Sequence, residues 1–146
     1  MKAASKPTKN ISRLNSPFIL WLQVFVWCGV IFYFSSIPNY SGRAADFETA
    51  LGILKFLGRK FCHLSEYAIL MVLTRRAIEG SFEKPKKRRF LFSFLLVLFY
   101  SVTDEWHQSF VFGRNGTPLD VFIDSLGALA GAFYEKENQS PAQVEN

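Results

Sequence analysis

The chain is poor in the residues that build small secreted or metal-clustered domains: two cysteines and two histidines in 146 residues. Cys28 and Cys62 stand alone in apolar surroundings, give no disulfide framework, and read as small buried hydrophobes. The two histidines lie far apart, so no pair has the zinc-protease spacing. No acid occurs among the first 16 residues, which carry Lys2, Lys6, Lys9 and Arg13. No A-x-A site follows the first apolar run, and that run is too long and aromatic for a signal peptide, so it reads as an uncleaved anchor. No long internal repeat or broken helix is visible, which disfavours a small transporter or proton-coupled carrier.

Apolar residues are abundant and fall in blocks. They make up 49% of the chain, with sixteen Phe and three Trp. The modest mean hydropathy of +0.12 arises because polar residues crowd into the tails and one loop. About 20 apolar residues are needed to cross about 30 Å of hydrocarbon as a helix. Four segments approach that requirement: residues 17–37, residues 59–74, the stretch Phe90 to Phe112, and residues 117–134. The second is the weakest, being short and holding His63 and Glu66. The expected fold is an all-α polytopic membrane protein, four transmembrane helices in one bundle. A short amphipathic helix at the interface is expected within residues 43–60. One domain, residues 17–134, lies between a basic tail (1–16) and a polar, frayed tail (135–146).

Seventeen basic residues oppose twelve acids, a net charge of +5. In a chain of apolar blocks this excess reads as a topology signal, and no nucleic-acid partner is expected. Four of the basic residues lie in the N-terminal tail and seven in the loop 75–89. The positive-inside rule then puts both termini and that loop in the cytoplasm. The polar clusters of the last three spans fall at one depth, in the outer half of the bilayer.

Those clusters follow helical spacing. His63, Glu66, Tyr67 and Leu70 share one face, as do Tyr100, Asp104, His107, Gln108 and Val111, with Glu105 turned about 100° away. Asp120, Asp124, Gly127 and Gly131 form a third stripe, and the Gly-x-x-x-Gly surface lets another helix approach closely. Ionisable residues at membrane depth mark functional sites, so Glu105, His107, Asp104, His63 and Glu66 are the candidate catalytic groups. Lys60, Tyr67, Gln108, Arg114, Asp120 and Asp124 are candidate ligand-binding groups, and Gly127 and Gly131 serve helix packing. His63 and His107 are expected on facing surfaces of the second and third spans, each close to an acid of the other helix.

Other readings of the same residues stay open. Lys60 and Arg114 can offset carboxylates in a network that merely holds helices in register. His-x-x-Glu and Asp-x-x-His each place two metal ligands on one face, which would make His63, Glu66, Asp104 and His107 the ligands, although no metal is assigned. Acid–base chemistry at a histidine beside carboxylates is a third reading. Ser65, Ser101 and Ser109 are weak nucleophile candidates. Gly113 to Gly116 resembles an anion-holding turn before a helix N-terminus. Lys86 to Arg89 suits anionic lipid. Asn115-Gly116-Thr117 is formally a glycosylation sequon.

The ordered set Lys60-x-x-His63-x-x-Glu66-Tyr67, Thr103-Asp104-Glu105-x-His107-Gln108, Gly113-Arg114 with Asp120, and Gly127-x-x-x-Gly131 resembles the VanZ-like family of bacterial membrane proteins. The resemblance covers about Ser35 to Phe133. It implies that His63, Glu66, Asp104, Glu105, His107, Gln108, Arg114 and Asp120 are the family's polar positions. The family is named for an accessory protein of glycopeptide-resistance clusters that gives low-level teicoplanin resistance. It therefore implies action on a cell-envelope amphiphile, such as a lipid-linked precursor or lipopeptide-like molecule, with membrane lipids as surroundings. A membrane-embedded acid–base or metal-dependent enzyme on a lipid-linked substrate is the alternative. One departure stands out: Asp124 occupies a position where the family usually has Asn.

Overall fold

Prolines set three of the helix starts. Pro17 and Pro118 open their helices, where the missing N–H would have had no intrahelical partner, and Pro85 stands just ahead of a third. In the computed structural model, which describes residues 16–40, 50–83 and 85–138, the chain forms four helices and no strand among the described residues. They are α1 (Pro17–Ser35), α2 (Ala50–Ser81), α3 (Lys86–Gln108) and α4 (Pro118–Asn138). Of these, α1 alone is long and apolar enough by composition to cross a membrane.

Several boundaries differ from the sequence expectation. Within residues 43–60, no separate interfacial helix occurs from residue 50 onward, because Ala50–Ser81 is one continuous helix. Gly52 and Gly58 are the helix-weakening residues in its first half, and each glycine costs only about 1 kcal/mol. At 1.5 Å per residue α2 is about 48 Å long. Residues 43–49 of that expectation lie outside the described residues. The basic segment 75–89 is mostly helical as well, shared between the end of α2 and the start of α3. Lysine, arginine and glutamate are good helix formers, so charge alone does not end a helix.

The third apolar stretch stops being α-helical at Gln108, ahead of Phe112. Phe110, Val111 and Arg114 then bond to carbonyls three residues back, tightening the chain into a turn. Gly113 follows with φ of +70°, and a Cβ there would collide with the carbonyl of Asn39. The turn also docks on the end of α1, Asn39 N–H donating to Phe112 O at 3.1 Å. At the far end α4 runs on to Asn138, so the last tail begins four residues later than the sequence suggests.

The closest pairing in the bundle is between α2 and α4, which run parallel. Any side chain at Gly127 would strike the Leu64 carbonyl, and one at Gly131 the Ala68 carbonyl. Small residues let two backbones approach this closely. Below this seam Tyr67, Leu70, Met71, Val97, Ala128 and Ala132 form the buried core, with Leu20, Val24 and Ile31 supplied by α1. Polar anchors hold α1 in place: Trp27 Nε1 donates to Glu66 O at 2.9 Å, and Tyr100 Oη to Cys28 O at 2.6 Å. This packing brings the C-terminal ends of α1 and α3 beside the first half of α2 and the start of α4.

Candidate functional site

Five acids occupy that end of the bundle: Glu66, Asp104, Glu105, Asp120 and Asp124. Asp124 is wholly buried, and Asp104 and Glu105 are only 3% and 4% exposed. Desolvated carboxylates need partners, and the helices supply them unevenly. Ser35, at the last turn of α1, donates to Asp104 Oδ2 at 2.8 Å, and Gln108 Nε2 donates to the same oxygen at 2.9 Å. Gln108 also reaches Glu105 Oε1 at 3.2 Å, while Thr117 N–H donates to Glu105 Oε2 at 3.0 Å. Ser101 donates to Asp124 Oδ2 at 2.7 Å. The second oxygens of Asp104 and Asp124 are buried and accept no hydrogen bond among the described residues.

Cations approach from the rim. Lys60 pairs with Asp120, which also accepts from the Thr117 hydroxyl at 3.0 Å. Thr117 Oγ1 accepts from Asp120 N–H in turn at 3.3 Å, a reciprocal cap at the head of α4. Arg114 spends its guanidinium on neutral acceptors: Ile37 O at 2.8 Å, Phe34 O at 2.9 Å and Gln108 Oε1 at 3.2 Å. It thereby satisfies carbonyls at the end of α1, where a cation also opposes the helix dipole. Burial pushes the Arg114 guanidinium below its ordinary value, and neighbouring Asp104 opposes that shift.

The histidines part company. His63 Nδ1 lies 3.5 Å from Asp124 Oδ1, and one ligand-type atom from each of His63, Glu105 and Asp124 falls within 4.8 Å of the other two. His63 therefore does face acids of other helices. His107 does not sit with it. Its ring stacks on Phe32 of α1, centroids 4.4 Å apart, and Nε2 lies 3.1 Å from Ser36 Oγ. The reason is angular. Relative to Asp104, which faces Ser35, residue 105 turns by about +100° and residue 107 by about −60°. Glu105 thus faces α2 and α4 while His107 faces α1, correcting the expectation that both histidines lie on facing surfaces of the second and third spans. The sequence-derived metal ligand set of His63, Glu66, Asp104 and His107 is correspondingly split, and the group that converges is His63, Glu105 and Asp124.

Two openings reach this layer. A cavity of about 60 Å³ is bordered by Lys60, Gln108, Asn115 and Asp120, and a larger one of about 320 Å³ by Phe34, Ser35, Cys62 and Glu66. Arg59, His63 and Arg114 line both. Arg59 and Ser35 are site residues that sequence spacing misses. Ser35 looks like one small residue ending an apolar run, and Arg59 sits one position off the Lys60 stripe. Ser65 and Ser109, the other nucleophile candidates besides Ser101, donate to carbonyls of their own helices at 2.8 and 2.6 Å.

The polar positions are therefore assembled from all four helices over Ser35 to Asp124. A family model described as VanZ/LLP1 matches residues 18–135, spanning every one of them. The chain belongs to the VanZ/LLP1 family. Comparison with curated proteins and with solved structures finds no match. The residues through which this chain resembles VanZ-like proteins, from Lys60 to Gly131, are also those that meet at one end of the bundle.

Proposed function

We propose that this VanZ/LLP1 protein is a four-span protein of the bacterial cytoplasmic membrane. Both termini face the cytoplasm, and an outward-facing polar pocket binds the anionic head group of a cell-envelope amphiphile. The observation that carries the reading is the layer of buried acids reached through openings rimmed by Arg59, His63 and Arg114. A bundle that buries Asp124, Asp104 and Glu105 while exposing Phe92, Leu95, Phe99, Trp106, Phe122 and Phe133 has its polarity inside out for water. That distribution suits lipid outside and a polar site within, even where charges lower the average hydropathy of α2, α3 and α4. The cationic rim recognises a phosphate or carboxylate, and the apolar wall formed by Phe34 and Ile37 accompanies the start of an acyl chain.

Lipid-linked precursors and acyl-bearing glycopeptides share this chemistry, so a role in teicoplanin-type resistance forms part of the proposal. The test is binding to protein in nanodiscs, measured by native mass spectrometry. A polyprenyl pyrophosphate should bind, its uncharged alcohol should not, and Arg59→Gln should weaken binding by roughly tenfold or more. Equal retention of both lipids would sink the head-group reading. A membrane-embedded enzyme on a lipid-linked substrate is a second reading, favoured by the convergence of His63, Glu105 and Asp124.

A further inference from the structure

His63, Glu105 and Asp124 come from three helices, and their ligand-type atoms converge within 4.8 Å of one another. Asp124 is wholly buried and donor-starved on one side: Ser101 holds Oδ2, while Oδ1 accepts no hydrogen bond among the described residues. That free oxygen points at His63 Nδ1 across 3.5 Å, and Nδ1 is itself buried without a hydrogen-bond partner there. A gap of 3.5 Å is too long for a good hydrogen bond. It is close to the separation of about 3.4 Å between two ligands of one tetrahedral ion bound at roughly 2.1 Å.

We infer that His63, Glu105 and Asp124 form a three-ligand site for one divalent transition-metal ion, zinc being the best-matched probe. An imidazole with two carboxylates suits zinc or manganese better than calcium or magnesium, whose sites are built from oxygen alone. Charge argues the same way. Two carboxylates with a neutral imidazole carry −2, which a dication cancels, whereas an imidazolium would leave one negative charge over. Lys60 is committed to Asp120, and Arg114 to Gln108 and the end of α1.

The carboxylates are already oriented from behind. Ser101 fixes Asp124, while Thr117 N–H and Gln108 fix Glu105, the kind of outer support that metal-bound carboxylates carry. A carboxylate oxygen holding one N–H retains a second lone pair for a metal. Because His63 also lines both openings, an ion held here lies one side chain from the pocket. Three protein ligands leave a position open, the arrangement of catalytic rather than structural zinc. Asp124, the residue that departs from the family's usual Asn, is what makes the third ligand anionic in this chain.

The site does not depend on which amphiphile the protein binds, and its test uses none. The full chain in nanodiscs is stripped with chelator, reloaded with Zn²⁺, freed of excess metal and analysed by inductively coupled plasma mass spectrometry. About one zinc per chain is expected, with a visible d–d spectrum of four-coordinate type when Co²⁺ replaces zinc. Asp124→Asn and Glu105→Gln should each lower zinc affinity by about 100-fold or more, while Glu79→Gln at the other end leaves it unchanged. Circular dichroism and gel filtration report whether each variant is folded; should Asp124→Asn unfold, Glu105→Gln and the wild-type Co²⁺ titration decide. Stripped wild type that takes up no Zn²⁺ or Co²⁺, or folded variants that bind as wild type does, would overturn the assignment and leave an imidazolium–carboxylate cluster instead.

Discussion

At the end of the bundle where α2 stops and α3 begins, Glu79 lies 3.5 Å from Arg89 and 3.9 Å from Arg75, and Arg75 also donates to Ala132 O at 3.1 Å. Trp21 bonds Ser81 across to α1 at 2.9 Å. Each charged group there is partly open to solvent or meets an opposite charge, and each contact ties two segments together. At the opposite end five acids crowd together, four of them buried. The cations there do not answer them one for one, since Arg114 turns to carbonyls and an amide. Both ends hold four helices in register, yet only one carries uncompensated buried carboxylates. Structural glue resembles the first end, because a buried charge without a partner is destabilising. The second end does not fit that description, and it is the end to which the proposed binding site is assigned.

The comparison breaks most completely if the shared scaffold fails. Gly131→Leu drives a side chain into the Ala68 carbonyl, and neither backbone can yield without separating α2 from α4. Destabilisation at or above about 3 kcal/mol is expected, the upper range for overpacking, with little folded protein recovered from membranes. Gly127→Leu should behave alike against Leu64. Normal yield and an unchanged unfolding temperature would mean that the two helices do not pack through glycine.

The second prediction concerns which end faces outward. With Cys28 and Cys62 replaced by Ala, a cysteine at the exposed Asn115 should react with an impermeant maleimide in intact cells. One at exposed Glu83 should react only after permeabilisation. The basic residues at the Glu83 end are the reason, through the positive-inside rule. Labelling in the reverse pattern would turn the pocket toward the cytoplasm and remove envelope amphiphiles as ligands.

Much of this architecture is legible in the sequence, though unevenly. The four helices, in order, can be read because apolar-rich blocks repeat between prolines and glycines. Helical spacing also groups Asp120 and Asp124 with the two glycines on one stripe. Boundaries are harder: nothing in residues 50–60 marks whether an amphipathic segment stops or joins the next helix. The fate of His107 is hardest. Periodicity places it on the Asp104 face, but a stripe spanning about 100° can serve two neighbours at once. Which side falls to α1 depends on how the helices pack, and the stacking partner Phe32 carries no polar signal. Glu105 is the converse case, off the stripe by spacing yet central to the converging group.

Removing charge at the polar end should separate function from stability. Glu105→Gln keeps the side-chain shape and retains an acceptor for Thr117 N–H while losing the oxygen that accepts from Gln108. The expected change in stability is about 1 kcal/mol, one net hydrogen bond, with zinc affinity at the polar end reduced about 100-fold or more. Measured by chemical or thermal unfolding beside native mass spectrometry, the two effects should diverge. If the variant instead vanishes from membranes, the polar end is glue like the other.

The smallest effect is expected where charges are already balanced. Glu79→Gln removes the acid that Arg75 and Arg89 share, but all three side chains retain some exposure, 10–23% by side chain. Partly exposed ion pairs at such distances contribute roughly 0–1 kcal/mol, and Arg75 keeps its bond to Ala132 O. Stability should therefore fall by less than about 1 kcal/mol, and binding at the far end should stay as in wild type. Because Glu79 and Glu105 are the same residue type on neighbouring helices, Glu79→Gln is the matched control for Glu105→Gln. A loss of binding from Glu79→Gln as large as from Glu105→Gln would mean that the two ends are coupled through the helices, and the division between glue and site would have to be abandoned.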